Sequence, residues 1–345
     1  MDCFESDKIA HIVYASDDNF AEIMGISIVS LLYNSKDMDD IVIYILDSGI
    51  SNENKKKIEN LCFQYKRSKP NWITAKDISK ELKMNVNTDR GSISQYARLF
   101  ISSMLPDGLE RVLYLDCDII VNESIRELWE LDMQGKTISA LMDAFSRQYR
   151  INIDLDPEDI MFNSGVMLID LNKWKDNNIE NKLLSFISRN KGIIQQGDQG
   201  ALNAILSHDI YSFSPRFNSV TIFYDFSYKE ILEYRNPPKF YSEKEIREAV
   251  EKPAIIHFTT SFLSRRPWIE GCNHKYVDEW IKYKNMSSWC DNKLWKYKHE
   301  KGLKGLYLFV ILKLPRRFII KISGFLQIYG RPTIYRLKRI YAGVK

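Results

Sequence analysis

The 345-residue chain has little of what would make it a disulfide-stapled, fibrous or membrane-spanning protein. Its five cysteines, Cys3, Cys62, Cys117, Cys272 and Cys290, are odd in number, irregular in spacing and without a Cys-x-x-Cys pair. They read as reduced thiols of a cytoplasmic protein. Only 15 glycines and 10 prolines accompany 45% hydrophobic residues, which excludes collagen-like and low-complexity chains and supplies material for a sizeable core. No apolar run nears the ~18 residues that span a bilayer; the tail's longest, such as residues 306–312, fall well short. The opening MDCFESDK is acidic where an export signal is basic. A G-x-G-x-x-G after the first apolar run and a G-x-x-x-x-G-K-[ST] are both missing, which disfavours a Rossmann dinucleotide site and a P-loop.

Acids are also missing from one stretch. Residues 301–345 hold 11 of the 49 Lys and Arg and no Asp or Glu, so residues 1–300 carry 38 basic against 45 acidic side chains. An acidic body with a basic tail is drawn to a polyanionic surface, either an anionic membrane or nucleic acid. In the tail, aliphatic and aromatic residues interleave with Lys and Arg around Pro315, the pattern of two short basic amphipathic helices lying in a membrane interface. Phosphate contacts would leave those aliphatics unused, so nucleic acid is not expected as a partner.

Short β-branched runs alternate with helical periodicity through the first two thirds. The pattern predicts strands at 9–15, 41–46, 111–115, 137–142, 166–170 and 254–258. It predicts helices at 21–33, 52–65 (capped by Ser51), 95–104, 125–131, 171–190 and 198–206. This βαβ rhythm implies an α/β fold with a Rossmann-like, mostly parallel central sheet flanked by helices, and a helical, basic C-terminal extension. A catalytic domain over 1–285 and a membrane-associating extension over 286–345 are the expected units.

In open α/β sheets ligands bind beyond the carboxyl ends of the strands. Those ends are polar here: Ser16 to Asn19, Asp116-Cys117-Asp118, Asp143 and His257. Two carboxylates at i and i+2 of an extended segment project to one side and can share a divalent cation. Asp-x-Asp also occurs at Asp37/Asp39 and Asp154/Asp156, but only Asp116/Asp118 lies between two apolar runs, 111–115 and 119–121, where a carboxylate needs a partner. His257, closing the run that starts at Pro253, adds a nitrogen, and a mixed oxygen and nitrogen set suits Mn²⁺ or a similar metal.

Six segments, ASDDNF at 15–20, SQYARL at 94–99, VLYLDCD at 112–118, FNSGVMLID at 162–170, GDQGALN at 197–203 and IHF followed by RPW at 256–268, occur in the order found in glycosyltransferase family 8. Over residues 9 to about 283 the chain resembles the bacterial lipopolysaccharide galactosyltransferases and glucosyltransferases of that family. The resemblance implies a GT-A fold and a retaining transferase that takes a hexose from a UDP-sugar with Mn²⁺ (or Mg²⁺). It places Ala15, Asp17, Asn19, Phe20 and Cys117 among the donor contacts, with Asp17 and Asn19 on uracil and ribose and Phe20 stacked on the base. Arg98 matches a contact to donor hydroxyls or phosphate, and Asp116, Asp118 and His257 match the metal ligands. Asp143, Asn163 and Asp198 match residues that hold the sugar hydroxyls. Gln199, beside Asp198, falls on the catalytic position facing the anomeric carbon; an amide is a poor nucleophile, which favours front-face transfer. The segment HFTTSFLSRRPW at 257–268 is longer than the family's loop and lacks its glycine, whose backbone donor Thr260 would replace. It puts Arg266 where Lys is usual, and a guanidinium can clamp a phosphate.

The expected partners are a UDP-hexose, a glycan or lipid-linked acceptor for bacterial surface polysaccharide or lipopolysaccharide, and an anionic membrane at its cytoplasmic face. Two other classes fit parts of the pattern. A nucleotidyltransferase would use a metal-bound carboxylate pair to release pyrophosphate, and a non-catalytic membrane-associated protein would keep the shell without turnover.

Overall fold

The computed structural model describes residues 9–86, 93–298 and 302–344. Cys3 and the acidic opening lie outside them, and the other four cysteines are unbridged. The strands are β1 (Ile9–Ser16), β2 (Asp40–Asp47), β3 (Asn71–Thr74), β4 (Arg111–Leu115), β5 (Ile119–Val121), β6 (Ile138–Met142), β7 (Phe162–Asp170), β8 (Ile210–Ser212), β9 (Ser219–Val220) and β10 (Ile255–His257). Seven of them form a central sheet in the order β3-β2-β1-β4-β7-β6-β8, and β5, β10 and β9 form a second, small sheet. β7 alone runs against its neighbours, so the central sheet is mostly parallel, as the βαβ rhythm predicts.

Side-chain alternation explains why helices cover both faces. Ala10, Ile12 and Tyr14 of β1 join Leu113 and Leu115 of β4 in one core; Val13, Val112 and Tyr114 join the other. β7 divides likewise, Val166 and Leu168 against Met167 and Ile169.

Three predicted elements differ from the structure, two of them for a local reason. The helix expected at 95–104 is a 3-10 helix, Ile93–Phe100, followed by one turn, Ile101–Met104; the Arg98 side chain occupies the Gln95 carbonyl, a bond that competes with the helix ladder. The helix expected at 171–190 is two, Leu171–Asp176 and Ile179–Arg189, separated where Asn178 adopts φ 53°, a left-handed conformation that Asn tolerates. The tail has three helices, Gly302–Ile311, Arg316–Phe325 and Arg331–Tyr341, the last two joined by a π-turn at Leu326–Gly330.

The second and third of these helices dock on the body. Gly324 lets the second approach the helix Tyr228–Arg235 so closely that a Cβ would stand 3.2 Å from the Glu233 carbonyl. Gln327 donates to the Tyr149 hydroxyl at 2.6 Å, and Asn152 donates to the Pro332 carbonyl at 2.8 Å. The expected boundary at 285/286 is crossed by packing, because Trp289 is buried against Gly25, in the helix Ala21–Asn34.

Arg316 fastens the tail through two bonds to Glu230, at 2.8 and 2.9 Å. This guanidinium, more than any other group, lowers the Glu230 pKa from 4.5 to about 2. A depressed carboxylate adds stability that is complete above its unfolded pKa and is lost as pH falls through the folded one. Glu230→Gln, which keeps an oxygen for Ser227, is therefore expected to lower the melting temperature at pH 7 and to matter progressively less from pH 4.5 towards pH 3. An effect independent of pH would show that charge does not hold the tail here.

Candidate active site

The carboxyl ends of β1, β4 and β6 meet the start of β7 at one edge of the sheet, because β4 parallels β1 and β7 runs antiparallel to both β4 and β6. Asp17, Asp116, Asp143 and Asn163 accordingly share that edge, as strand-end logic requires. His257 arrives from the small sheet, where pairing with Ile119 sets it beside Asp118. Its Nε2 is 3.1 Å from Asp118 Oδ1 and 3.9 Å from Asp116 Oδ2. One donor atom of each of the three lies within 4.8 Å of the others. Gly165 makes the room: a Cβ there would stand 2.2 Å from His257 Cε1, and its carbonyl accepts the Asp116 N–H at 2.7 Å.

A hydrogen-bond chain that begins on the backbone orients His257. The Gly165 N–H donates to Asn163 Oδ1 at 3.0 Å, which identifies that atom as the amide oxygen. Asn218 must then offer its Nδ2 to the same oxygen, at 2.9 Å, and turn its Oδ1 to His257 Nδ1, also at 2.9 Å. Nδ1 donates, so a neutral His257 presents its Nε2 lone pair to the two carboxylates. Across the 3.1 Å between Nε2 and Asp118 Oδ1, a proton or a metal cation can bridge the acceptors. Two carboxylates and one imidazole nitrogen suit a divalent metal ion, and the residues present fit that group.

Arginines supply the remaining charge. Arg98, 6% exposed, pairs with Asp116 Oδ1 at 2.8 Å and Asp198 Oδ2 at 3.0 Å, and donates to the Ser164 carbonyl at 2.8 Å. Burial opposes its charge, but the carboxylates, Asp116 foremost, hold its pKa above the ordinary guanidinium value. Tyr114 lies beneath it, 4.5 Å from ring centre to guanidinium carbon, and donates to Asp116 Oδ1 at 3.0 Å. Arg266 reaches Asp118 Oδ2 at 3.3 Å and Thr260 Oγ1 at 2.9 Å.

Of the expected site residues, Arg98, Asp116, Asn163, Asp198, Gln199 and His257 line one cavity of about 40 Å³, which Gln95, Ser164 and Gln196 complete. Gln199 Oε1 accepts from the Ser164 N–H at 3.3 Å and hydroxyl at 3.4 Å. Asn203 anchors its helix, Gly197–Leu206, by bracketing the Phe162 backbone N–H and carbonyl at 2.7 and 2.9 Å.

The other expected contacts stand outside this cavity. Asp17 Oδ1 caps the turn Asp18–Phe20 through the Asn19 and Phe20 N–H groups, at 3.1 and 3.3 Å. Asn19 is exposed, and Phe20 meets Trp268 and Trp295 edge-on at 6.3 and 5.9 Å. The Cys117 thiol is buried on the Ala15 carbonyl at 3.3 Å, and burial raises its pKa. Asp143 Oδ2 accepts from Asn163 Nδ2 at 3.4 Å.

Sequence reasoning missed Gln95, Ser164, Gln196 and Asn218. The first two lie inside segments whose polarity among apolar neighbours is a readable signal. Asn218 carries none, since its place depends on β9 pairing with β10, with Ser219 opposite Ile256.

The chain is similar to known proteins over most of its length. Residues 11–271 match the family described as Glycosyl transferase family 8. General stress protein A of Bacillus subtilis is 32% identical over 289 residues, covering 82% of this chain and 96% of the relative. The lipopolysaccharide 1,2-glucosyltransferase of Escherichia coli is 25% identical over 305 residues, 87% and 82% of the two chains. The galactosyltransferase LgtC, solved with donor and acceptor sugar analogues, superposes with a TM-score of 0.67 at 24% identity, over 81% of this chain and 96% of that one, and shares the α/β fold. The chain belongs to glycosyltransferase family 8.

Proposed function

We propose that the protein is a retaining, metal-dependent hexosyltransferase that moves a sugar from a UDP-hexose to a glycan or lipid-linked acceptor of a bacterial surface polysaccharide or lipopolysaccharide. The observation that carries this reading is the His257 Nε2 turned onto Asp116 and Asp118, beside a cavity lined by Arg98, Asp198 and Gln199. Asp116, Asp118 and His257 would hold Mn²⁺ or Mg²⁺, which supplies positive charge beside a diphosphate leaving group. Arg266 reaches the Asp118 carboxylate from the 258–268 segment and would clamp that diphosphate in the manner of a bidentate guanidinium. Asp17, Asn19, Phe20 and the Ala15 and Cys117 backbone would seat the uridine, with Thr260 on the phosphate side. Asp143, Asn163 and Asp198 would hold the sugar hydroxyls.

Gln199 sets the chemistry of the transfer. Its amide carries no charge and is a poor nucleophile, while Ser164 holds its oxygen towards one side. In front-face transfer the bond from the anomeric carbon to phosphate oxygen breaks, and its electron pair stays on the phosphate. The acceptor oxygen bonds to the same face of the carbon as its proton passes to the departing phosphate. The Gln199 amide dipole would stabilise the oxocarbenium-like centre.

Metal-dependent UDP release from one sugar of a UDP-hexose panel is expected of the wild type and should be lost in Asp116→Ala/Asp118→Ala. Pyrophosphate release from an NTP, with no turnover of any UDP-hexose, would replace this reading by nucleotidyl transfer.

The tail would bring the enzyme to the cytoplasmic face of the membrane. Among the described residues no helix is long and apolar enough to cross a bilayer. The helix Arg331–Tyr341 nevertheless exposes Ile334, Leu337 and Tyr341, spaced to share a face, beside Arg331 and Lys338. Cosedimentation with phosphatidylglycerol vesicles at low salt is expected, and Ile334→Ser/Leu337→Ser/Tyr341→Ser should abolish it. Undiminished binding by this variant would place the membrane contact elsewhere.

A further inference from the structure

The segment between His257 and Trp268 carries Arg266, the cation on Asp118. Its middle is held from beneath by one carboxylate. Asp225, at the end of the helix Ile222–Asp225, accepts from both Ser261 and Ser264 on its Oδ2, the second at 2.9 Å. Ser264 is buried, and Phe262 between the two serines packs on Phe226 and Tyr234, with ring centres 6.1 and 5.9 Å away. Asp225 is itself fixed from the tail: Arg316 donates to its carbonyl at 2.5 Å with the guanidinium that grips Glu230. Burial pushes the Asp225 carboxyl up, and the two hydroxyls and Arg316 work against that shift.

These contacts form a continuous path of charge-assisted hydrogen bonds from tail to site, running from Arg316 through Asp225 and the two serines to the segment bearing Arg266. The segment has no glycine from 258 to 268, so its conformation rests on such anchors.

We propose that Asp225 is a positioning residue for donor binding, which holds the 258–268 segment so that Arg266 meets the diphosphate, and that Arg316 couples this positioning to the docked tail. The proposal rests on Arg266 being the donor's clamp. Asp225 touches no substrate; it acts through Ser261 and Ser264. The tail thereby contributes to the site as well as to any surface it meets, and its loss weakens donor binding even in the absence of a membrane.

The test uses the full chain, with UDP plus Mn²⁺ as the probe. UDP affinity, donor KM and kcat, and hydrogen exchange of the 259–267 amides are compared for wild type, Arg316→Gln, Arg316→Lys, Asp225→Asn and Arg266→Gln. Arg316→Gln and Asp225→Asn are expected to speed exchange in 259–267 and to weaken UDP roughly fivefold or more, a coupling of ordinary size. KM should rise while kcat stays close to wild type, and Arg316→Lys should recover part of the loss. Arg316 is a surface residue, so its variants report even where Asp225→Asn does not fold. Wild-type UDP affinity and loop exchange in Arg316→Gln, with UDP weakened in Arg266→Gln, would overturn the coupling and leave the donor reading standing. Unchanged UDP affinity in Arg266→Gln would overturn both.

Discussion

One backbone N–H, that of Gly165, governs the chemistry of the site. By donating to Asn163 Oδ1 it settles which way two asparagine amides face, and through them that His257 Nδ1 carries a proton. The aspartates can share a cation with His257 only because its Nε2 presents a lone pair. The same glycine leaves the space in which the imidazole lies, and its carbonyl holds the Asp116 backbone. Sheet register, tautomer and donor set thus work together, since the antiparallel β7 brings its amino-terminal end to the carboxyl ends of β4 and β6.

Charge is arranged around that constraint in two layers. Arg98 and Arg266 each hold one of the paired aspartates, so the carboxylates stay balanced in a largely dry setting where an isolated charge is costly. Farther out, Arg316 and Glu230 tie the basic tail to the acidic body. The segregation of charge along the sequence therefore serves internal docking as well as any external surface.

What could be read from the sequence follows from how local each signal is. β4 and its two aspartates were legible because an apolar run that stops at Asp-x-Asp has few other structural meanings, and β1 and the helix after Ser51 were legible for similar reasons. The order of six short segments identified the family and with it the fold. The short strands β3, β8 and β9 are too brief to show a period, and they form because neighbouring strands offer hydrogen bonds. Asn218 and Asp225 were invisible for a stronger reason: an asparagine and an aspartate in ordinary polar surroundings become functional only when distant strands or tail helices meet them. The tail was legible as basic and amphipathic, but its docking was not, since the exposed and buried faces of a helix look alike until the partner surface is known.

The orientation of His257 by Asn218 is the claim on which the metal site stands, and Mn²⁺ affinity is its most direct measure. Titrating wild type and Asn218→Ala with Mn²⁺ by electron paramagnetic resonance, with folding checked by circular dichroism, should show the variant binding about 10- to 100-fold more weakly, the usual cost of losing the partner that orients a metal-bound histidine. Equal affinity in a folded variant would contradict the account.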